Sequence, residues 1–250
     1  MDTRDSPISG DQRANKVFVA HILLIALILA AHVGCKILMR ISPTALSSRT
    51  DQLFDLALEN NVPTYFSSLA LIATAGVAIV IAMRASALRK GPVLSWLFVA
   101  VCLFFMAADE AFAIHDGFSP ALRAQWETSG AFFHAWTLVY GALAIVVVLL
   151  CLPLVRHLSR ATFARLAVAA VVFLGSAIGF ELIQSMFLSE ALGPRSSGSV
   201  NWETVQLNPL NALTVILEEA GEMLGVALAL RALILHYDTE MQGNSATKTA

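Results

Sequence analysis

The chain has 250 residues, 57% hydrophobic and 14% charged, with a mean hydropathy of +0.72. A soluble domain of this size carries about 25% charged residues, so this composition excludes an ordinary soluble protein. Sixteen basic and eighteen acidic residues give a net charge of −2, which excludes a polybasic nucleic-acid binder and an acidic disordered tail.

A bilayer core takes about 20 apolar residues in a helix, and six segments meet that requirement in turn. They are Val17–Met39, Thr64–Met83, Val93–Ile114, Ala131–Val155, Thr162–Phe187 and Leu210–His236. Backbone groups in lipid must be satisfied internally, so all six read as helices and the fold class is an all-α six-helix membrane bundle. Residues 1–16 form a polar N-terminal tail, 17–236 the membrane domain and 237–250 a polar C-terminal tail. Asn208 is placed to cap the sixth helix with Pro209 in its first turn, and Pro63 and Pro92 stand just outside the second and third.

Between the first two spans, residues 51–59 read as a short surface helix begun at Thr50, and Ser119-Pro120 as the start of another before Trp126. Pro194-Arg-Ser-Ser-Gly-Ser199 reads as a flexible stretch. Trp126, Trp136 and Trp202 are placed as interfacial anchors. Cys35, Cys102 and Cys151 fall within spans and read as free thiols. The Gly175/Gly179 pair is spaced to admit a neighbouring helix closely.

Lys and Arg set the orientation. With the N-terminus inside, Arg4, Arg13, Lys16, Arg84, Arg89, Lys90, Arg156, Arg160, Arg165, Arg231 and Lys248 are internal. Lys36, Arg40, Arg49, Arg123 and Arg195 remain outside. Eleven against five places both termini in the cytoplasm of a multi-pass inner-membrane protein.

Ionisable residues inside spans are costly and mark function by default. The third span carries Asp109 and Glu110, followed by His115 and Asp116; the fourth opens with His134. The fifth holds Glu181 and Gln184, the sixth Glu218, Glu219 and Glu222, and the first His21, His32 and Lys36. Asp109 lies sixteen residues beyond Val93, about 24 Å along the helix, so it and most of the others fall in the outer half of the bilayer. On a helical wheel Asn211, Thr214, Glu218, Glu222 and Gly225 share one stripe, flanked by Glu219. His115 projects about 120° from Asp109 on an ideal helix and joins this layer only if the helix loosens before Gly117.

Like-charged carboxylates in a poorly hydrated site cannot all ionise, so protons or cations must neutralise them. Asp109, Glu110, His115, His134, Glu181, Glu218 and Glu222 form the expected ligand set for one or two iron, manganese or zinc ions. Glu219 is the expected proton carrier and Lys36 the compensating cation near the chemistry. The chemistry would then be metal-assisted hydrolysis or oxidation of a lipid or other apolar substrate. A proton- or cation-coupled transporter and a non-catalytic membrane subunit are the alternatives, the latter with these groups lining a hydrated vestibule. His157 and His236, at inner ends, read as solvated. His21 and His32 share a face without a matching histidine pair on another helix, which disfavours haem.

Overall fold

A computed structural model describes residues 10–89, 91–192 and 208–242, and among these the secondary structure is entirely helical. α1 (Gly10–Ile41) begins two turns before the apolar run. Its 32 residues reach about 48 Å, more than a hydrocarbon core requires. α2 (Ala45–Phe54) starts at a capping box: Ser47 N donates to Thr44 Oγ1 (3.1 Å) and Thr44 N to Ser47 Oγ (2.7 Å). Thr50 is therefore not the start expected above. It lies inside the helix, its hydroxyl bonded back to Leu46 O and Ser47 O.

α3 (Val62–Leu88) is capped by Asn61, with Pro63 inside the first turn rather than outside it. α4 (Val93–Phe112) stops at Ala113, whose φ of 49° is left-handed, and α5 (Ile114–Trp126) restarts at once. The Ser119-Pro120 pair consequently falls inside α5 rather than at its start. A 3-10 turn at Gly130–Phe132 leads into α6 (Trp136–Val155), shorter than the span expected from Ala131. α7 runs from Arg160 to Leu192 and α8 from Pro209 to His236, continued by a π-helical turn at Tyr237–Gln242. Asn208 caps α8 as expected, accepting from Leu210 N at 3.0 Å.

Five helices (α1, α3, α4, α6 and α7) are long and apolar enough to cross a membrane, as in a membrane protein. α8 has the length, at 28 residues, but Glu218, Glu219, Glu222 and Arg231 interrupt its apolarity. It is instead the packing centre, contacting α7, α1 and α3, while α3 lies along α4. Small residues make the closeness possible. A Cβ at Gly225 would stand 2.6 Å from Phe173 Cβ, and one at Gly221 would collide with Ser176. The expected Gly175/Gly179 contact is corrected by these two: both α7 glycines face open space. Ala75, Ala78, Ala82 and Ala85 likewise bury one face of α3, and the first three meet Trp96, Ala100 and Leu233 in a core at one end of the bundle.

That end also holds Arg13 paired with Asp238, Arg84 bonded to Met241 O, and Glu240 accepting from Ser159 and Thr162. His236 sits there too, only 2% exposed and 5.2 Å from the Trp96 ring, so it is a packed histidine and not a solvated one. His157 is exposed, as expected. The three cysteines are free and half-buried. Trp202 and residues 194–199 lie outside the described residues. The opposite end gathers α2, α5 and the 3-10 turn, and with them most of the acidic groups.

Candidate functional site

The site begins with the break in α4. An uninterrupted helix would turn His115 away from Asp109; the left-handed Ala113 swings the chain so that His115 folds back over that carboxylate. Asp109, 8% exposed, then binds with both oxygens. Oδ1 accepts from His115 N (2.9 Å) and from Tyr140 Oη of α6 (2.7 Å), while Oδ2 lies 3.0 Å from His115 Nδ1. Tyr140 comes from beyond the 3-10 turn, and its ring meets Trp136 edge-on at 5.2 Å; Trp136 in turn lies 4.7 Å from the His115 ring.

With Nδ1 held by Asp109, Nε2 is the nitrogen of His115 left for another partner. Nε2 lies 3.7 Å from Asp116 Oδ1. Glu59, on the turn that enters α3, completes the group: ligand atoms of Glu59, His115 and Asp116 all lie within 4.8 Å of one another. Thr64 Oγ1 donates to Glu59 Oε2 at 3.2 Å and fixes the carboxylate. An imidazole backed by a carboxylate and facing two others is the donor arrangement of a divalent-metal site, and this group could hold an ion.

Electrostatics match the geometry. Burial works against a charged His115, but the hydrogen bond to Asp109 and the charges of Asp116, Asp109 and Glu59 outweigh it, raising its pKa to about 9. Burial raises Glu59 above the usual carboxylate range, and neighbouring Asp116 and Asp109 add to this against the opposing pull of His115.

A second group stands across Trp136. His134 Nδ1 is bonded to Glu181 Oε1, which also accepts from Trp136 Nε1 at 3.1 Å. Ser185 Oγ receives His134 N (3.1 Å) and Ser189 Oγ receives Gly130 N (2.8 Å), tying the loop before α6 to α7. Trp136 is thus buried and hydrogen-bonded, not the interfacial anchor expected. Gln184 Nε2 donates to Glu218 Oε2, and the Glu218 carboxyl meets that of Glu181. Two carboxyls in contact share a proton or a cation.

Glu219 and Glu222 are within electrostatic reach of both groups, and Glu110 of the first. Glu110 is within electrostatic reach of Glu219 and Glu59, and Glu222 of Glu110, Glu218 and Glu181. Of the expected carboxylates of α4, α7 and α8, Glu181 and Glu218 are thus in contact, while Glu110 and Glu222 are within electrostatic reach of each other. Lys36 does not oppose their charge: it pairs with Asp51 (3.1 Å) and Asp55 (2.7 Å). Its neighbour His32, with Nδ1 3.2 Å from both Phe54 O and Leu56 N, fastens the same loop to α1. His21 stands apart, edge-on to Phe66 at 5.1 Å.

The expected ligand set contributes His115 to the three-residue group, with Asp109 behind it; Glu59 and Asp116 are the additions. Asp116 reads in the sequence as an exposed helix-end residue, which it also is, with its side chain 55% exposed. Glu59 reads as part of a surface helix. Its signal was its place two residues before the Asn61 cap, at the end of the bundle to which α4 delivers His115.

The chain belongs to the family described as "Domain of unknown function (DUF8692)", which it matches over residues 19–237. No curated protein and no solved structure matches it.

Proposed function

We propose that the protein is a six-helix, multi-pass inner-membrane protein that holds a divalent transition metal at the outer end of the bundle and acts on a lipid or other apolar substrate. One observation carries this reading: Asp109 holds His115 Nδ1, leaving Nε2 3.7 Å from Asp116 Oδ1, and Glu59 completes a group whose ligand atoms lie within 4.8 Å of one another. α8 serves as the sixth span, its charges turned into the bundle against α4 and α7. The eleven-to-five division of basic residues favours cytoplasmic termini.

Glu59, His115 and Asp116 are the proposed ligands. When bound, iron, manganese or zinc would supply Lewis acidity and a lowered pKa for coordinated water. Asp109 keeps His115 in the tautomer that presents Nε2, and Tyr140 holds Asp109 in place. Glu110 and Glu219, within reach of Glu59, take and return protons, and Glu222 connects them to Glu218 and Glu181. Trp136, Tyr140 and Phe118 wall the site with aromatic rings that suit an apolar body.

Cation-coupled transport is the second reading, favoured by the continuity of the carboxylates from Glu59 through Glu110 and Glu222 to Glu181. Metal analysis of chelator-free purified protein, paired with ion-flux measurements in proteoliposomes, separates the two. The enzyme reading expects about one tightly held ion per chain and no flux. Flux that depends on Glu222, without retained metal, would replace it with transport.

A further inference from the structure

Arg123 stands on the face of α5 that carries Asp116. Seven residues, close to two full turns, separate them, so their side chains leave the helix in the same direction with Cα atoms about 10 Å apart. The Arg123 guanidinium carbon lies 4.0 Å from the centroid of the Phe133 ring, and its charge reaches the adjacent His134. It is half-buried, yet among the described residues no carboxylate pairs with it.

Stacking on Phe133 occupies the flat face of the guanidinium and leaves the N–H edge open. That edge is a fork matched to the oxygens of a phosphate. The carboxylates of Asp116 and Glu59 repel an anion, so a free cation this close needs a group that tolerates both signs. A phosphate bonded to an apolar body does so when its charge rests on Arg123 and its body lies elsewhere. The apolar part has a place beside the guanidinium itself: Phe133 lies under it, and the adjacent Phe132 is 44% exposed. Trp126 at the end of α5 is 46% exposed, and an exposed Trp suits the level of lipid head groups.

We infer that Arg123 recognises the phosphate of a phospholipid, holding its head group on α5 so that the neighbouring linkage lies over Glu59, His115 and Asp116. This rests on the metal-site reading and names its substrate class.

The test measures binding to the purified full chain, with and without Mn²⁺, of three probes: dihexanoyl phosphatidylglycerol, dihexanoyl glycerol and inorganic phosphate. The phospholipid should bind about tenfold more tightly than the diacylglycerol, the size of a charged hydrogen-bonded contact. Arg123→Gln should abolish that preference while leaving Mn²⁺ binding unchanged, and Arg123→Lys should restore part of it. An Arg123→Gln protein that keeps the preference, or equal binding of the two lipids by the native chain, overturns the inference. So does inorganic phosphate binding as tightly as the phospholipid, which would assign the site to free phosphate. Loss of Mn²⁺ binding in His115→Ala tests the metal reading separately, since Arg123→Gln spares it.

Discussion

Asp109 has an unusual load for one carboxylate in an apolar helix: two nitrogens of His115 and the Tyr140 hydroxyl. If it orients a ligand, Asp109→Asn should lower metal affinity about 10- to 100-fold, as loss of a ligand's supporting carboxylate does. Tyr140→Phe, which leaves the His115 contact intact, should cost less; isothermal titration with Mn²⁺ ranks the two. The same pair sets a pH dependence in the metal-free protein. His115 has a folded pKa raised from 6.5 to about 9, so its stabilisation is complete below 6.5 and fades as pH rises through about 9. Melting temperature should fall across that window, and His115→Ala should flatten the fall. Asp109, Glu110 and Glu181 were legible in the sequence because a charge in an apolar run stands out against its surroundings. Glu59 was not, since a carboxylate among polar loop residues carries no such contrast.

At the scale of elements, the decisive feature is the break at Ala113. The loosening before Gly117 that His115 required is met there, but composition did not mark the position: an alanine is a helix former, and Gly117 itself sits inside α5. The left-handed alanine carries strain of about 1 kcal/mol, so Ala113→Gly should be neutral or stabilising by up to about that amount and should keep metal affinity. Ala113→Val, with a β-branched side chain in that conformation, should lower both the melting temperature and metal binding. Helix spacing gives a second contrast. Gly225→Ala forces α7 from α8 and should destabilise by about 1–3 kcal/mol, whereas Gly179→Ala, facing open space, should change little. Thermal unfolding in detergent measures all four. Five of the six expected runs were readable as membrane-length helices because their length exceeds any helix-end uncertainty; the sixth, over α8, is interrupted by charge. Which glycines make contact was not, because both pairs have helical spacing and only packing chooses between them.

For the molecule as a whole, five helices among the described residues are apolar enough to cross a membrane, and α8, proposed as the sixth span, buries Glu218 against Gln184 of α7. That arrangement, with the basic residues divided as they are, predicts opposite exposure of the two ends. In a background with Cys35, Cys102 and Cys151 replaced by serine, cysteines at Arg49 and Gln125 should react with an impermeant reagent in intact cells. A cysteine at Leu88 should react only after permeabilisation. Labelling of Leu88 alone from outside would invert the bundle and move the carboxylate end to the cytoplasm.

The metal content of three purified variants tests most directly where the ion sits. Glu59→Gln and His115→Ala should each lose most of the bound metal while remaining folded in the membrane, and His134→Ala should retain it, because His134 is committed to Glu181 across Trp136. Native metal content in Glu59→Gln and His115→Ala, or its loss in His134→Ala alone, would contradict the assignment of the site to Glu59, His115 and Asp116.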